Sequence, residues 1–165
     1  MNKPIRIYLA SSWRNNYQPI ALRSLREWGH EVYDFRNPSP GNHGFSWREI
    51  DPNWQDWTPD EYRAALQHEI AIKGYTSDIE ALRACDACVL LLPSGRSASW
   101  EFGYAMGQGK AGYVLSLSPC EPELMYREAQ ILTTLDEFAN AFRIQREVDD
   151  SILIRQRGGS KKPSQ

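Results

Sequence analysis

The segment that most constrains the fold is 87–92, ACVLLL, the longest uninterrupted apolar run in the chain. A membrane-spanning helix needs about 20 apolar residues, so the six residues of this run are far too few. A run of this length is typical of a strand buried on both faces, as found in parallel sheets that helices cover on each side. The run therefore predicts a fully buried strand of an α/β domain.

Strand-like and helix-like segments alternate around this run. The patterns predict strands over 3–10, 31–35, 87–92 and 113–117, with a short last strand near Ile131. They predict helices over 19–28, 58–71, 77–84, 98–106 and 134–155. This alternation predicts a doubly wound parallel sheet of about five strands, flavodoxin-like or Rossmann-like, in a single domain. We expect that domain to cover residues 1–156 and residues 157–165 to form a disordered basic tail.

One edge of this sheet is the expected ligand site. In parallel α/β sheets, ligands bind beyond the carboxyl ends of the strands, where the strand order reverses. That rule brings 8–14, at the end of the first strand, next to 93–101, after the buried strand. Residues 36–57 form a long irregular connection rich in Pro, Gly, Asn and Trp. Connections of this length often form lids or binding walls.

The charge distribution disfavours a polynucleotide partner. The chain has 19 Lys and Arg against 21 Asp and Glu, and four of the basic residues lie in the last eleven positions, which contain no acid. Residues 1–154 therefore carry a formal net charge of −6. Proteins that follow the phosphates of a nucleic acid need many Lys and Arg contacts on one face.

Other patterns argue against a membrane protein, a secreted protein and a metal site. The N-terminus passes directly into a strand-like segment without a signal-peptide pattern, and three cysteines do not suggest a disulfide framework. We therefore expect a cytoplasmic protein. Cys85 and Cys88 form a CxxC without a second CxxC or a nearby His pair, so we expect neither a metal ion nor another cofactor.

The segment after the buried strand contains the residue best suited to chemistry. A loop rich in Ser and Gly leads into a helix, and Glu101 lies near its start among Trp100, Phe102 and Tyr104. A Glu in a first helical turn can simply complement the helix dipole. Its position at the expected ligand edge also suits a catalytic carboxylate, and the pattern alone leaves both interpretations open.

A family pattern is carried by three segments: IYLASSWRN at 7–15, SDIEALRACD at 77–86 and VLLLPSGRSASWEFGYAMGQGK at 89–110. Together they resemble the nucleoside 2-deoxyribosyltransferase-like family, which includes N-glycosidases that act on nucleoside 5′-monophosphates. The resemblance extends from about residue 5 to residue 117, roughly two thirds of the chain. It implies a flavodoxin-like fold and a homodimer or larger homo-oligomer in which a neighbouring subunit helps to build the active site.

The resemblance also implies roles for three residues. Glu101 matches the family's catalytic Glu, which attacks the anomeric carbon or stabilises the oxocarbenium ion. Asp78 matches the Asp that manages the proton on the leaving base, and Tyr8 matches an aromatic hydroxyl that orients the Glu. These groups suit N-glycosidic cleavage because positive charge develops on the sugar and negative charge on the base. From the residues alone, Asp78 also fits a helix cap and Tyr8 a half-buried position on the sheet.

One departure from the family's transferases favours a phosphorylated substrate. Those enzymes usually carry a further carboxylate six residues before the catalytic Glu, where this chain has Gly95. Hydroxyl groups, arginines and a helix N-terminus form a natural phosphate site, and the Ser-x-Arg after the first strand is similar to the phosphate-binding loop of the monophosphate N-glycosidases. The arginines also fit ordinary surface positions. The predicted substrate-binding residues are Ser11, Ser12, Arg14, Gly95, Arg96, Ser97, Ser99 and Trp47.

Trp47 is one of three tryptophans in the long connection, with Trp54 and Trp57. Such rings either stack on a base or pack the connection onto the domain. The sequence thus predicts an enzyme that hydrolyses or transfers the N-glycosidic bond of a small-molecule (deoxy)nucleoside or nucleoside 5′-monophosphate. A nucleotide-binding or sensing module without catalysis, and an NAD glycohydrolase, are the alternatives.

Overall fold

Five parallel strands form one sheet in the order β2-β1-β3-β4-β5. The computed structural model describes residues 3–144, and its strands are β1 Arg6–Ala10, β2 Glu31–Tyr33, β3 Ala87–Leu91, β4 Ala111–Leu115 and β5 Gln130–Leu132. This order is that of flavodoxin-like sheets, which confirms the predicted fold class. The end of the predicted last helix and the predicted basic tail lie outside the described residues.

Strand β3 lies at the centre of the sheet, and all five of its residues are therefore buried. It pairs in parallel with β1 on one side and β4 on the other, so that Cys88 lies opposite Tyr8 and Gly112. An apolar run without alternation is stable only where both faces are covered. The sequence therefore predicts this strand to within one residue.

Helices cover both faces of the sheet. They are α1 Gln18–Glu27, α2 Pro59–Ala65, α3 Glu69–Ala84, α4 Arg96–Gly107 and α5 Leu135–Phe142. One core lies between the sheet and α3 and α4, around Tyr8, Leu90 and Phe102. The other lies on the opposite face with α1 and α5, around Leu25 and Phe138.

Local sequence explains several helix ends. Helix α1 stops before Gly29, whose φ of +95° is in the left-handed region that favours glycine. Helix α2 begins at a capping box in which the Thr58 hydroxyl accepts from the Glu61 N–H, while the Glu61 carboxylate accepts from the Thr58 N–H at 2.7 Å. Thr134 caps α5 by accepting from the Glu137 N–H at 3.1 Å. These starts are where the sequence predicts them.

The connection between α2 and α3 differs from the prediction. The sequence predicts a gap between two helices at 72–76, but α3 runs through these residues without interruption. The break comes earlier, at 66–68, because the His68 Nδ1 accepts a hydrogen bond from the Ile70 N–H at 3.2 Å and caps α3. Asp78 therefore lies well inside α3, and the interpretation of Asp78 as a helix cap is wrong.

The strand order reverses between β1 and β3, which places the expected ligand edge at their carboxyl ends. The loop after β1 and the loop after β3 lie side by side there. The long connection after β2 contains two short 3₁₀ helices, Trp47–Glu49 and Trp54–Asp56, and a third, Leu124–Glu128, precedes β5. None of the helices within residues 3–144 combines the length and hydropathy that crossing a membrane requires.

Candidate active site

Hydrogen bonds tie the loop after β1 to the end of β3. The Ser11 hydroxyl donates to the Leu91 carbonyl at 3.0 Å. The Asn15 side-chain amide donates to the same carbonyl at 3.2 Å and to the Pro93 carbonyl at 3.1 Å. Ser11 and Asn15 are both buried, so these bonds fix the two loops relative to each other. Sequence analysis missed Asn15 because its local pattern is that of any asparagine in a polar loop.

Arg36, at the start of the long connection, holds the same loop in a second way and forms what we call the Arg36 clamp. One terminal guanidinium nitrogen lies 2.9, 2.8 and 3.1 Å from the carbonyl oxygens of Ser12, Trp13 and Asn15. The guanidinium carbon lies over the rings of Trp13 and Phe35, 5.8 and 5.7 Å from their centroids. Hydrogen bonding and cation–π attraction therefore hold the predicted phosphate-binding loop from the side opposite β3.

The three predicted catalytic residues come from three elements and meet at this edge. Tyr8 lies in β1, Asp78 in α3 and Glu101 in α4. Asp78 and Glu101 line one open cavity of about 840 Å³, and the charges of both carboxylates act on the Tyr8 hydroxyl. Helix α4 begins at Arg96, so Glu101 lies in its second turn. The interpretation of Glu101 as a first-turn cap is wrong.

The carboxyl group of Glu101 titrates near neutrality. Burial raises its pKa from 4.5 to about 7, with a further contribution from the negative charge of Asp78. The Tyr8 hydroxyl opposes this rise because it interacts favourably with the ionised carboxylate. Glu101 therefore carries a proton below pH 7 and becomes a free carboxylate above it.

Asp78 is held by a residue that sequence analysis missed. The Tyr33 hydroxyl, at the end of β2, donates to the Asp78 Oδ1 at 2.7 Å and lies 2.8 Å from the Ser77 hydroxyl. Burial raises the pKa of Asp78, while the Tyr33 hydrogen bond lowers it. Asp78 thus holds a proton at higher pH than an exposed aspartate, as an acid near a leaving group requires. The local sequence around Tyr33 shows only the pattern of a strand.

The Tyr8 hydroxyl is a buried polar group without a hydrogen-bond partner among the described residues. Its side chain is 0% exposed, so the interpretation of a half-buried sheet position is wrong. The Tyr8 ring stacks on that of Tyr33, with centroids 5.1 Å apart. Burial and the charges of Glu101 and Asp78 raise the pKa of Tyr8, so the hydroxyl keeps its proton. The Tyr8 hydroxyl is therefore a potential hydrogen-bond donor beside the Glu101 carboxylate.

The predicted phosphate-binding residues lie at the start of α4 and on the loop after β1. Gly95 is the N-cap of α4, and the exposed side chains of Arg96 and Ser97 line the 840 Å³ cavity. Arg14 is exposed on the β1 loop, where its backbone N–H donates to the Ser12 hydroxyl at 3.2 Å. The N-terminus of α4 and Arg96 are thus available to a ligand in this cavity, whereas Arg14 is exposed on the β1 loop and is not among the residues that line it.

Three of the predicted substrate-binding hydroxyls already have partners within the protein, and one of them is Ser12, which accepts from the Arg14 N–H. The Ser11 hydroxyl bonds to Leu91 as described above. The Ser99 hydroxyl lies 3.3 Å from both the Gly95 carbonyl and the Tyr126 hydroxyl. These contacts stabilise the loops that surround the cavity.

The long connection forms an aromatic wall at the mouth of the cavity. Trp47 packs edge-to-face against Phe45, Trp57 and Tyr62, with ring centroids 4.7, 5.6 and 5.9 Å away. It lines the 840 Å³ cavity and also a neighbouring one of about 970 Å³ that reaches Trp54. Trp47 therefore both packs the connection onto the domain and faces the space beside the carboxylates.

Cys85 and Cys88 contribute to the core as buried free thiols, and burial raises the pKa of each. Within residues 3–144, no group of three or more His, Cys, Asp or Glu side chains is arranged to hold a metal ion.

No protein-family model and no curated protein matches this chain. Its fold is similar to that of a solved 2-deoxyribosyltransferase from the psychrotolerant bacterium Bacillus psychrosaccharolyticus, with a TM-score of 0.56 and 22% sequence identity over 82% of this chain and 90% of that chain. A conserved protein from Enterococcus faecalis V583 aligns with a TM-score of 0.45 and 15% identity, over 94% of this chain and 99% of that chain. The first similarity confirms the predicted resemblance at the level of the fold.

Proposed function

We propose that this protein cleaves the N-glycosidic bond of a (deoxy)nucleoside or nucleoside 5′-monophosphate, by hydrolysis or by transfer of the sugar to another base. The observation that carries the proposal is that Asp78 and Glu101 line one cavity at the β1–β3 edge, with the Tyr8 hydroxyl buried beside them. The solved 2-deoxyribosyltransferase of similar fold supports the same reaction class.

In the proposed reaction, Glu101 acts on the sugar and Asp78 on the base. The Glu101 carboxylate attacks the anomeric carbon, or stabilises the oxocarbenium ion, as the C–N bond breaks and its electron pair leaves with the base. Asp78 gives its proton to the base, which neutralises the charge that develops there. Water or a second base then attacks the anomeric carbon, returns a proton to Asp78 and frees the Glu101 carboxylate.

The protonation states of the two carboxyl groups are coupled. Ionisation of one disfavours ionisation of the other, so the pair holds one proton over a range of pH. The reactive arrangement has the charge on Glu101 and the proton on Asp78. The Tyr8 hydroxyl works toward this arrangement, but burial is the larger cause and raises the pKa of Glu101 to about 7. The Tyr33 hydrogen bond opposes the rise in the pKa of Asp78, so the free protein holds the shared proton more readily on Glu101.

Arg14 and Arg96 are the groups that we assign to a 5′-phosphate. They extend from the β1 loop and from the first turn of α4, the two segments that the β1–β3 edge brings together. The N-terminus of α4 favours an anion at the same place. Gly95 leaves that place without the carboxylate that would repel a phosphate.

An exposed apolar surface around the cavity mouth supports the homodimer that we propose. The side chains of five residues, each between 42% and 58% exposed, border the cavity: Tyr62, Leu66, Ile72, Tyr75 and Trp100. Apolar clusters of this kind mark interaction surfaces. Sedimentation analysis of wild type and Trp100→Glu tests this, since the substitution is expected to yield monomers.

The test of the reaction is base release from a panel of nucleosides, deoxynucleosides and their 5′-monophosphates, followed by chromatography with and without a second base as acceptor. We expect at least one substrate to yield free base and Glu101→Ala to release it at a negligible rate. Glu101→Ala turnover equal to wild type contradicts the mechanism. Thermal stabilisation by a nucleotide without release indicates a binding module, and nicotinamide release from NAD alone indicates an NAD glycohydrolase.

The phosphate assignment has a separate test in Arg14→Ala. We expect the preference for monophosphates over nucleosides to fall by about tenfold or more, since a charge-assisted hydrogen bond is lost. The matched control is Arg23→Ala, an exposed arginine of α1 whose ion-pair partner is Glu27. An unchanged preference in Arg14→Ala contradicts the assignment.

A further inference from the structure

Tyr33 contacts two of the three predicted catalytic residues, Asp78 and Tyr8. Its hydroxyl donates to the Asp78 Oδ1 at 2.7 Å and contacts the Ser77 hydroxyl at 2.8 Å. Its ring stacks on Tyr8 with an interplanar angle of 19°. Packing thus fixes Tyr33 on one side, and two hydrogen bonds fix it on the other. For Asp78, the Tyr33 hydroxyl is a direct hydrogen-bond donor.

The direction of these hydrogen bonds follows from the charge on Asp78. An ionised carboxylate only accepts, so the single hydroxyl proton of Tyr33 points to Asp78 and the Ser77 hydroxyl must donate to the Tyr33 oxygen. When Asp78 is protonated, the chain can reverse, with Asp78 donating to Tyr33 and Tyr33 to Ser77. The same three oxygen atoms therefore satisfy Asp78 in both protonation states without a rotation of its side chain.

Asp78 also borders a second, smaller cavity, which we call the rear cavity. Its volume is about 160 Å³, and its lining includes polar Ser77 and Lys73 as well as apolar Phe35 and Ile70. Asp78 therefore borders both this cavity and the 840 Å³ cavity directly.

We propose that the Ser77–Tyr33 pair positions Asp78 and satisfies its carboxyl group both before and after it gives its proton to the leaving base. The inference rests on the proposed function, because it assumes that Asp78 gives a proton to a leaving base and recovers one. The attacking nucleophile returns the proton to Asp78, so each cycle reverses the hydrogen bonds of Ser77 and Tyr33 and restores them with no net change in either residue. Tyr33 is a positioning residue and does not touch the substrate itself.

The groups facing Asp78 determine which variant isolates this role. Tyr8 and Glu101 face it from β1 and α4, Tyr33 from β2, and Lys73 and Glu49 lie around the rear cavity. Arg96 lines the main cavity with it. Tyr33→Phe removes one hydroxyl, keeps the ring that stacks on Tyr8 and leaves all these charges in place.

The first measurement follows the carboxyl carbon of Asp78 by 13C NMR across a pH titration of the free protein, in wild type and Tyr33→Phe. We expect Asp78 to titrate at higher pH in Tyr33→Phe, because the hydrogen bond to its ionised form is lost. The matched control is Tyr113→Phe, a half-buried tyrosine of β4. An unchanged titration of Asp78 in Tyr33→Phe overturns the positioning role, and this readout does not depend on turnover.

The second measurement is base release. We expect Tyr33→Phe to lower kcat by about tenfold with little change in KM and to move the limb of the pH profile set by Asp78 upward. Ser77→Ala keeps the bond to Asp78, so it should lower kcat less and leave the NMR titration nearly unchanged. Full activity in Ser77→Ala overturns the part that Ser77 has in this positioning. If wild type releases no base from any substrate while the NMR shift is present, the proposed function fails and the positioning of Asp78 holds.

Discussion

The two sides of the 840 Å³ cavity are built in different ways. On one side, Glu101 and Asp78 belong to helices that pack on the sheet, and the loops after β1 and β3 are joined by the Ser11 and Asn15 hydrogen bonds. On the other side, the long connection is held by edge-to-face aromatic contacts around Trp47. We call these the sheet side and the loop side.

The difference separates chemistry from binding. Groups that must keep their geometry within a fraction of an ångström lie on the sheet side, where packing and buried hydrogen bonds fix them. Under the proposed function, the groups that offer the ligand a broad apolar surface lie on the loop side, where aromatic contacts tolerate change. Substitutions of Glu101 and Asp78 should therefore act on kcat, and those of Trp47 on KM.

The largest effect is expected from Glu101→Gln on the sheet side. We expect base release to fall by about 10³-fold or more, since the amide cannot act as the nucleophile or bear the charge that stabilises the oxocarbenium ion. The shape of the side chain is retained, so loss of activity without loss of fold is the expected result. A residual rate within tenfold of wild type contradicts the role of Glu101.

The same variant is expected to be more stable than wild type at high pH. The pKa of Glu101 in the folded protein, about 7, exceeds its ordinary value of 4.5, so the folded state binds the proton more tightly than the unfolded state. The wild type therefore loses roughly 3 kcal/mol of stability as pH rises from below 4.5 to above 7. Thermal unfolding at pH 8 should give a higher Tm for Glu101→Gln, and the gain should shrink near pH 4.

The second effect is expected from Asp78→Asn, also on the sheet side. We expect kcat to fall by about 100-fold, because the leaving base receives no proton from this position. The loss should be much smaller with a substrate whose leaving group is stable as an anion. The pKa of Glu101, followed by 13C NMR, should also fall in Asp78→Asn, since the Asp78 charge no longer raises it. An unchanged titration of Glu101 contradicts the coupling of the two carboxyl groups.

Arg36→Ala removes the clamp that joins the two sides. We expect KM to rise by about tenfold, since the loop after β1 loses a shared donor to three carbonyl oxygens and becomes less ordered. The Tm should fall in parallel. Arg48→Ala, at an exposed arginine of the same connection, is the control and should change neither value. Equal behaviour of the two variants contradicts the clamp.

The smallest effect is expected from Trp47→Phe on the loop side. The substitution keeps an aromatic ring and removes part of the surface facing the cavity, so KM should rise about threefold with kcat unchanged. Trp54→Phe is the matched control, because Trp54 lines only the neighbouring cavity. A change in kcat for Trp47→Phe contradicts the division between the two sides.

The sequence predicts the elements that local patterns encode, on both sides of the cavity: an unbroken apolar run gives β3, and the capping residue Thr58 marks the start of α2. The bond between Tyr33 and Asp78 joins residues 45 positions apart, and Arg36 reaches Ser12 across 24 positions. Such contacts depend on the assembled fold and leave no periodic signal. The break at His68 was missed because a histidine acting as a cap has no strong local pattern.

Arg36 and the Thr58 capping box have a joint consequence for how this fold can diversify. Arg36 anchors the start of the long connection to the loop after β1, and the box between Thr58 and Glu61 anchors its end to α2. Residues 37–57 are therefore held at both ends, and between these ends Trp47 also packs on Tyr62 of α2. Replacing the segment with both attachments and an aromatic residue at position 47 retained should change ligand preference while Glu101 and Asp78 keep their original frame.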